Sequence, residues 1–138
     1  MSVQLHWQYT GGEDENLDFD RVLYAYLHPR TSAILYIGKA DFCTVRERLY
    51  GRHKEAIFES MMRELGLTEL HAIVGVPVLA GGKRLTSELL ADMESLLIIE
   101  LQPLYNRQSR HSRISRPGLA VRCLGDWPRE CDDEFFDE

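Results

Sequence analysis

The sequence predicts an α/β domain of the α+β type, with a small, mostly antiparallel three-stranded sheet flanked by helices. Three observations carry that prediction. Val22 to His28 alternates, with Leu23, Ala25 and Leu27 on one side and Val22, Tyr24, Tyr26 and His28 on the other, the period of a strand. A second β-rich run, Ala33 to Lys39, follows the turn residues Pro29-Arg30-Thr31-Ser32, so the two runs read as a hairpin. Helical patterns then frame a third apolar, β-branched run from His71 to Leu79.

Taken in order, the first twenty residues are polar and rich in Gly and acids, and read mostly as loop with Trp7 and Tyr9 as anchors. In the hairpin, Leu35 and Ile37 join the core face, which puts Tyr36 on the same face as Tyr24. Thr44-Val45-Arg46-Glu47 has the form of a capping box, so a helix starts there with Val45 and Leu49 turned inward. Gly51 bends or breaks it before a second helical stretch from about Lys54 to Leu65, with Gly66 as C-cap. Pro77 gives the third strand an edge position or a bulge. Ser87 caps a last main helix that ends before Pro103, giving the order β-β-α-α-β-α. Residues 107–123 form a basic, irregular arm and 124–138 an acidic tail.

The 138 residues suffice for one domain with a core of its own, and 44% hydrophobic with 28% charged is ordinary for a globular chain. No apolar run reaches the length of a membrane span, and the N-terminus has no signal-peptide pattern. Cys43, Cys123 and Cys131 form no CxxC pair, so a reducing, cytoplasmic setting is the simple expectation. The net charge of −6 is unevenly spread. Residues 1–20 hold five acids and no Lys or Arg, and residues 124–138 hold seven acids against Arg129, which leaves 15 bases and 10 acids between Arg21 and Cys123. A core with that excess can neutralise phosphates, while the acidic ends lie off the working face.

Five ordered elements now stand together: Val22-Leu23-Tyr24, Tyr36-Ile37-Gly38, a helical Arg48, Glu94, and the closing Pro103-Leu104-Tyr105-Asn106. Over residues 21–106 this pattern resembles the GIY-YIG endonuclease superfamily. Its first glycine is replaced by Val22, the hairpin is about one residue longer than is usual there, and the stretch before the arginine is also longer. Arg46 and Arg48 are therefore both candidates, and Arg48 is preferred because Thr44 as N-cap places it one turn into the helix.

The resemblance implies a metal-dependent endonuclease that hydrolyses DNA phosphodiester bonds. Phosphodiester hydrolysis needs an activated water and stabilisation of charge on the phosphoryl oxygens. By the resemblance, Tyr24 acts as general base or positions the water, and Tyr36 joins its hydrogen-bonded cluster. Lys39 or the metal would lower the phenol's pKa. Arg48 offers its planar fork to the phosphate, Glu94 anchors one hard cation, Mg²⁺ or Mn²⁺, and Asn106 holds the backbone or the Glu-bearing helix. His53 stands where relatives often carry His or Tyr. Gly38, Arg46, Arg52, Arg107, Arg110 and Arg113 are the further candidates for contact with nucleic acid.

Plainer readings stand beside these. Tyr24 and Tyr36 are also ordinary strand aromatics, Glu94 is also a helix acid, and the arginine run is also a solvated segment. Glu94 nonetheless shares its helix side with Leu90, Leu97 and Ile98, a half-buried place that a carboxylate seldom takes without a partner. Ligand spacing for zinc is lacking among the cysteines and histidines. The alternatives to a DNA endonuclease are a catalytically silent nucleic-acid-binding module and an RNA-cleaving nuclease. With little room for a separate recognition domain, the expected help is a homodimer partner, an accessory protein at the acidic tail, or a particular DNA structure as the target. The tail itself is either a solvated end or a segment, anchored by Phe135 and Phe136, that folds back on the basic arm.

Overall fold

The computed structural model describes residues 1–10, 15–50, 52–106 and 116–137, and at 16, 50 and 52–56 the backbone alone. Six strands are formed among them: β1 (Ser2–Thr10), β2 (Val22–Leu27), β3 (Ile34–Ala40), β4 (His71–Leu79), β5 (Ala120–Gly125) and β6 (Glu134–Phe136). The helices are α1 (Val45–Tyr50), α2 (Arg52–Leu65) and α3 (Ser87–Leu101), with a 3-10 turn at Glu15–Asp18. All six strands join one curled, mixed sheet in the order β3-β2-β4-β1-β5-β6, antiparallel except where β1 runs parallel to β5.

The three-stranded sheet expected from the sequence is therefore corrected to six strands. β2, β3 and β4 are the ones foreseen. β1 comes from the segment expected to be loop, and it is an interior strand: Val3, Leu5 and Trp7 are buried while Gln4, His6 and Gln8 between them are exposed. β5 and β6 come from the basic arm and the acidic tail. Val121, Cys123, Trp127 and Phe135 enter the core, and the Trp7 and Trp127 rings lie 5.0 Å apart. A buried aromatic of this kind contributes roughly 1.5–3 kcal/mol, so the acidic end is part of the fold and not a solvated tail. It lies back on residues 116–122 through an Arg122 Nε to Glu134 Oε1 pair at 3.7 Å and a bond from Arg116 N to Asp137 Oδ2 at 3.0 Å.

Because both faces of the β3-β2-β4 half are covered, every residue of β2 is buried. α3 covers one face with Leu89, Leu90, Met93, Leu96, Leu97 and Ile98, packed on Leu23, Ala25, Leu27 and Ile37. The other face holds Val22, Tyr24, Tyr26 and Val74 against Val45 and Leu49 of α1 and Met61 of α2. The hairpin register shifts between Tyr26 and Leu27, with Tyr26 opposite Tyr36 and Leu27 opposite Ile34. That irregularity turns Leu35 to the Tyr24 face, while Ile37 keeps to the α3 face; simple alternation had put the two together. Pro77 sits in a central strand rather than at an edge. It is tolerated because β2 pairs with β4 only through Gly75, leaving Pro77 with β1 alone.

Local signals set the helix ends. Thr44 and Glu47 form the reciprocal capping box, Glu47 N donating to Thr44 Oγ1 at 3.2 Å and Thr44 N to Glu47 Oε1 at 3.4 Å. α2 ends at Gly66, whose φ of 64° lets Leu67 N reach Met62 O at 2.9 Å and Gly66 N reach Arg63 O at 3.4 Å, the paired bonds of a Schellman cap. The N-cap of α3 is Thr86, one residue before the Ser87 expected, and its side chain accepts from Leu89 N. Among the described residues no helix is long and apolar enough to cross a membrane.

Candidate active site

The site begins with the hairpin. Tyr24 in β2 lies opposite Gly38 in β3, and paired residues of an antiparallel ladder share a face. The Tyr24 ring occupies the space above Gly38: a β-carbon added there would overlap the phenol carbon and hydroxyl, and would lie 2.9 Å from Cε2. Only glycine lets the ring lie this flat on the neighbouring strand. Tyr36 adjoins on the same face, its ring centroid 6.3 Å from that of Tyr24 and 6.0 Å from that of Tyr26.

α1 brings the cation. Its capping box fixes the first turn, and Arg48, one turn on, donates from Nε to Cys43 Sγ at 3.1 Å. Partial burial pulls the Arg48 pKa down, but the bond to Cys43 and the nearby Tyr24 and Tyr36 outweigh it, so the guanidinium is held all the more firmly charged. α3 brings the half-buried Glu94. Burial first, and then the neighbouring Tyr36 and Tyr26, push the Tyr24 phenol far above its ordinary value; Arg48 pulls it down and Glu94 adds to the rise. Charges and hydroxyls from β2, β3, α1 and, most weakly, α3 thus act on one phenol, which stays protonated at neutral pH.

The chain after α3 closes the site from the edge. Asn106 is buried and brackets Ile37, accepting from its N–H at 2.8 Å through Oδ1 and donating to its carbonyl at 2.7 Å through Nδ2. Tyr105 N donates to Leu35 O at 3.0 Å. These bonds satisfy the outer edge of β3, beyond which no strand lies among the described residues. The Tyr105 hydroxyl donates to Glu64 Oε2 of α2, tying the two helical ends together.

Other sequence candidates are placed differently. Lys39 lies opposite Leu23, whose side chain belongs to the α3 face, so the ladder puts Lys39 on the face away from Tyr24. Arg48, not Lys39, is the cation that lowers the Tyr24 pKa. Arg46 pairs with Asp18, its Nε 3.1 Å from Oδ1. Arg52 and His53 lie on the first turn of α2, where only the backbone is described, and Arg107, Arg110 and Arg113 lie outside the described residues. Sequence reasoning missed Tyr26, although its alternation with Tyr24 signalled a shared face. It also missed Cys43, whose approach to Arg48 no motif or spacing announces.

Among the described residues no three His, Cys, Asp or Glu side chains cluster as a metal cage. No family model matches the chain, and no curated protein or solved structure does so significantly.

Proposed function

We propose that the chain is a Mg²⁺- or Mn²⁺-dependent endonuclease acting on DNA, with an active site of the GIY-YIG type. The observation that supports it most is the convergence of Tyr24, Tyr36, Arg48 and Glu94, from β2, β3, α1 and α3, into one electrostatic neighbourhood. Of the three around it, Tyr36 acts most on the Tyr24 phenol, then Arg48, and Glu94 least. Arg48, pinned at Nε by Cys43, would present its terminal nitrogens to the scissile phosphate and stabilise the charge that develops there. Glu94 would hold the cation, which supplies water activation and charge neutralisation when bound. Tyr24, kept protonated, suits positioning of a water better than accepting its proton. Tyr36, half-buried beside it, would share that hydrogen-bonded cluster. A cytoplasmic location and a homodimeric or accessory partner belong to the same proposal.

One observation favours the second reading, a silent nucleic-acid-binding module. Tyr24 is fully buried, and Val22, in place of the family's glycine, is packed beside it in the same core. The two readings part on a single assay. Supercoiled plasmid incubated with the pure protein should be nicked or cut with Mg²⁺ or Mn²⁺, and not with EDTA or with Glu94→Ala. Protein that binds DNA yet leaves it intact in both metals, across plasmid, bulged and branched DNA, would sink the enzyme and leave the module. Cleavage at the wild-type rate by Glu94→Ala would remove Glu94 from the site.

A further inference from the structure

The loop from β3 to α1 carries a side chain that the cleavage chemistry does not use. Phe42 is 87% exposed, far more than any other large hydrophobic among the described residues, the next being Phe136 at 56%. A single exposed apolar residue is ordinary on a protein surface. A phenylalanine at φ 62° is not, because the left-handed region is costly for a residue with a β-carbon. Its neighbours explain how the conformation is imposed. Asp41 turns inward and is buried, with Arg21 Nε 3.9 Å from Oδ1, and Arg21 N donates to Ala40 O. Cys43 turns inward to Arg48. At the far end of the loop, Val45 N donates to Phe19 O at 2.9 Å. Asp41 is thus buried, its Oδ1 without a hydrogen bond, Cys43 is bonded to Arg48, and the ring between them stands out in solvent. Strain maintained in this way at the rim of a site points to a use for the residue it presents.

We infer that Phe42 is a stacking platform for a nucleobase displaced from the helix beside the scissile phosphate. The inference rests on the nuclease reading above and sharpens its substrate: DNA carrying an unpaired base, as at a bulge or a junction, rather than a continuous duplex. A base is the occupant that fits because the next residue of the loop, Cys43, takes the bond from Arg48 Nε at the start of α1. An aromatic face for the base next to a guanidinium for its phosphate is the combination by which proteins grip unpaired nucleotides. In a continuous duplex every base is already stacked on its neighbours, and the ring would have no face to meet.

The test uses the full chain in EDTA, so that binding is read without cleavage. Anisotropy would compare a labelled duplex with a three-nucleotide bulge and the matching continuous duplex. Wild type should bind the bulged duplex more tightly. Phe42→Ala and Phe42→Gly should each weaken that binding by about tenfold while changing the continuous duplex little, and Phe42→Trp should retain it. Neither small variant should melt lower than wild type, since the ring buries almost nothing and glycine relieves the backbone. Unchanged affinity of Phe42→Ala for the bulged duplex overturns the proposal, as does a wild type that binds both duplexes alike. A Phe42→Ala that changes sedimentation but not DNA affinity also overturns it, and reassigns the ring to a contact between copies. Phe42-dependent binding with neither the plasmid nor the bulged duplex cut in Mg²⁺ or Mn²⁺ would sink the nuclease and leave this inference standing; cleavage with Phe42-independent binding does the reverse.

Discussion

Asn106 holds both ends of the Ile37 residue, its Oδ1 taking the amide at 2.8 Å and its Nδ2 reaching the carbonyl at 2.7 Å. One side chain thereby does the work of a missing strand at the edge of β3, between Tyr36 and Gly38. Asn106→Ala leaves a buried N–H and a buried C=O without partners, at about 1–3 kcal/mol each, so urea denaturation should show a loss of roughly 2–6 kcal/mol. Asn106→Asp keeps the acceptor but sets a carboxylate against the Ile37 carbonyl. Its protonated form can donate there, so the folded pKa is raised. The variant should recover stability relative to wild type as pH falls towards 4.5, and a deficit independent of pH would contradict the bracket.

Gly38 and Tyr24 should prove energetically coupled. Gly38→Ala drives a methyl into the Tyr24 ring, and overpacking of this kind costs about 1–3 kcal/mol. It should also displace the phenol and abolish metal-dependent cleavage. Tyr24→Ala empties the space and has its own cavity cost of about 3–5 kcal/mol. In the double variant the methyl has room, so the two losses should fall short of additivity by about 0.5–3 kcal/mol. Simple additivity in denaturation would mean that the ring and the glycine do not constrain one another.

The two arginines of α1 should separate cleanly. Arg46 makes a surface pair with Asp18, both side chains well exposed, and such pairs are worth about 0–1 kcal/mol. Arg46→Ala should therefore leave single-turnover cleavage near wild type. Arg48→Ala should slow it by about 10²–10³-fold, the usual effect of losing one hydrogen-bond donor to the transition state. Cys43→Ser keeps an acceptor for Nε and should retain most activity. Cys43→Val releases the guanidinium and should lower kcat with little change in KM, which a purely structural role would not produce. Equal rates for the two arginine variants would mean that the helix start does not sort them.

How far the sequence disclosed all this depended on the range of the pairing. The hairpin, the capping box and the turn at Gly66 are local, and their residues announced them. β1 was also legible, since Val3, Leu5 and Trp7 alternate with polar residues, but the acids that follow drew the whole segment into loop. Its parallel pairing with β5 joins residues more than a hundred positions apart, and composition does not report such a ladder. β6 is three residues long, too short for any period to show. In the site, residue type and order singled out Tyr24, Tyr36, Gly38, Arg48, Glu94 and Asn106 as a set. Lys39 went astray because one step along a strand changes the face, which only register with Leu23 reveals. Cys43 could not be foreseen, because its bond to Arg48 depends on how the loop folds back on α1.

The acidic C-terminal segment supplies the last prediction, through the cysteine that it covers. Cys123 is buried in β5, and its N–H donates to Asp133 O at 2.7 Å. Burial pushes the thiol up from 9.0 to about 12, with Asp133 and Cys131 adding to the rise and Trp7 opposing it. In the unfolded chain the same thiol ionises near its ordinary value. Between the two values the folded state holds a proton that the unfolded state has lost, so stability is complete below pH 9 and falls as pH rises. At 1.36 kcal/mol per unit, the thiol alone costs about 2 kcal/mol between pH 9 and 10.5. Tyrosines and lysines titrate in the same range, so the measurement is a difference. Urea denaturation under reducing conditions at pH 8, 9 and 10.5 should show wild type losing more stability than Cys123→Ala, although the variant starts lower for want of the sulfur. Parallel losses would mean that Cys123 ionises as readily in the fold as outside it, and that β6 does not seal this part of the core.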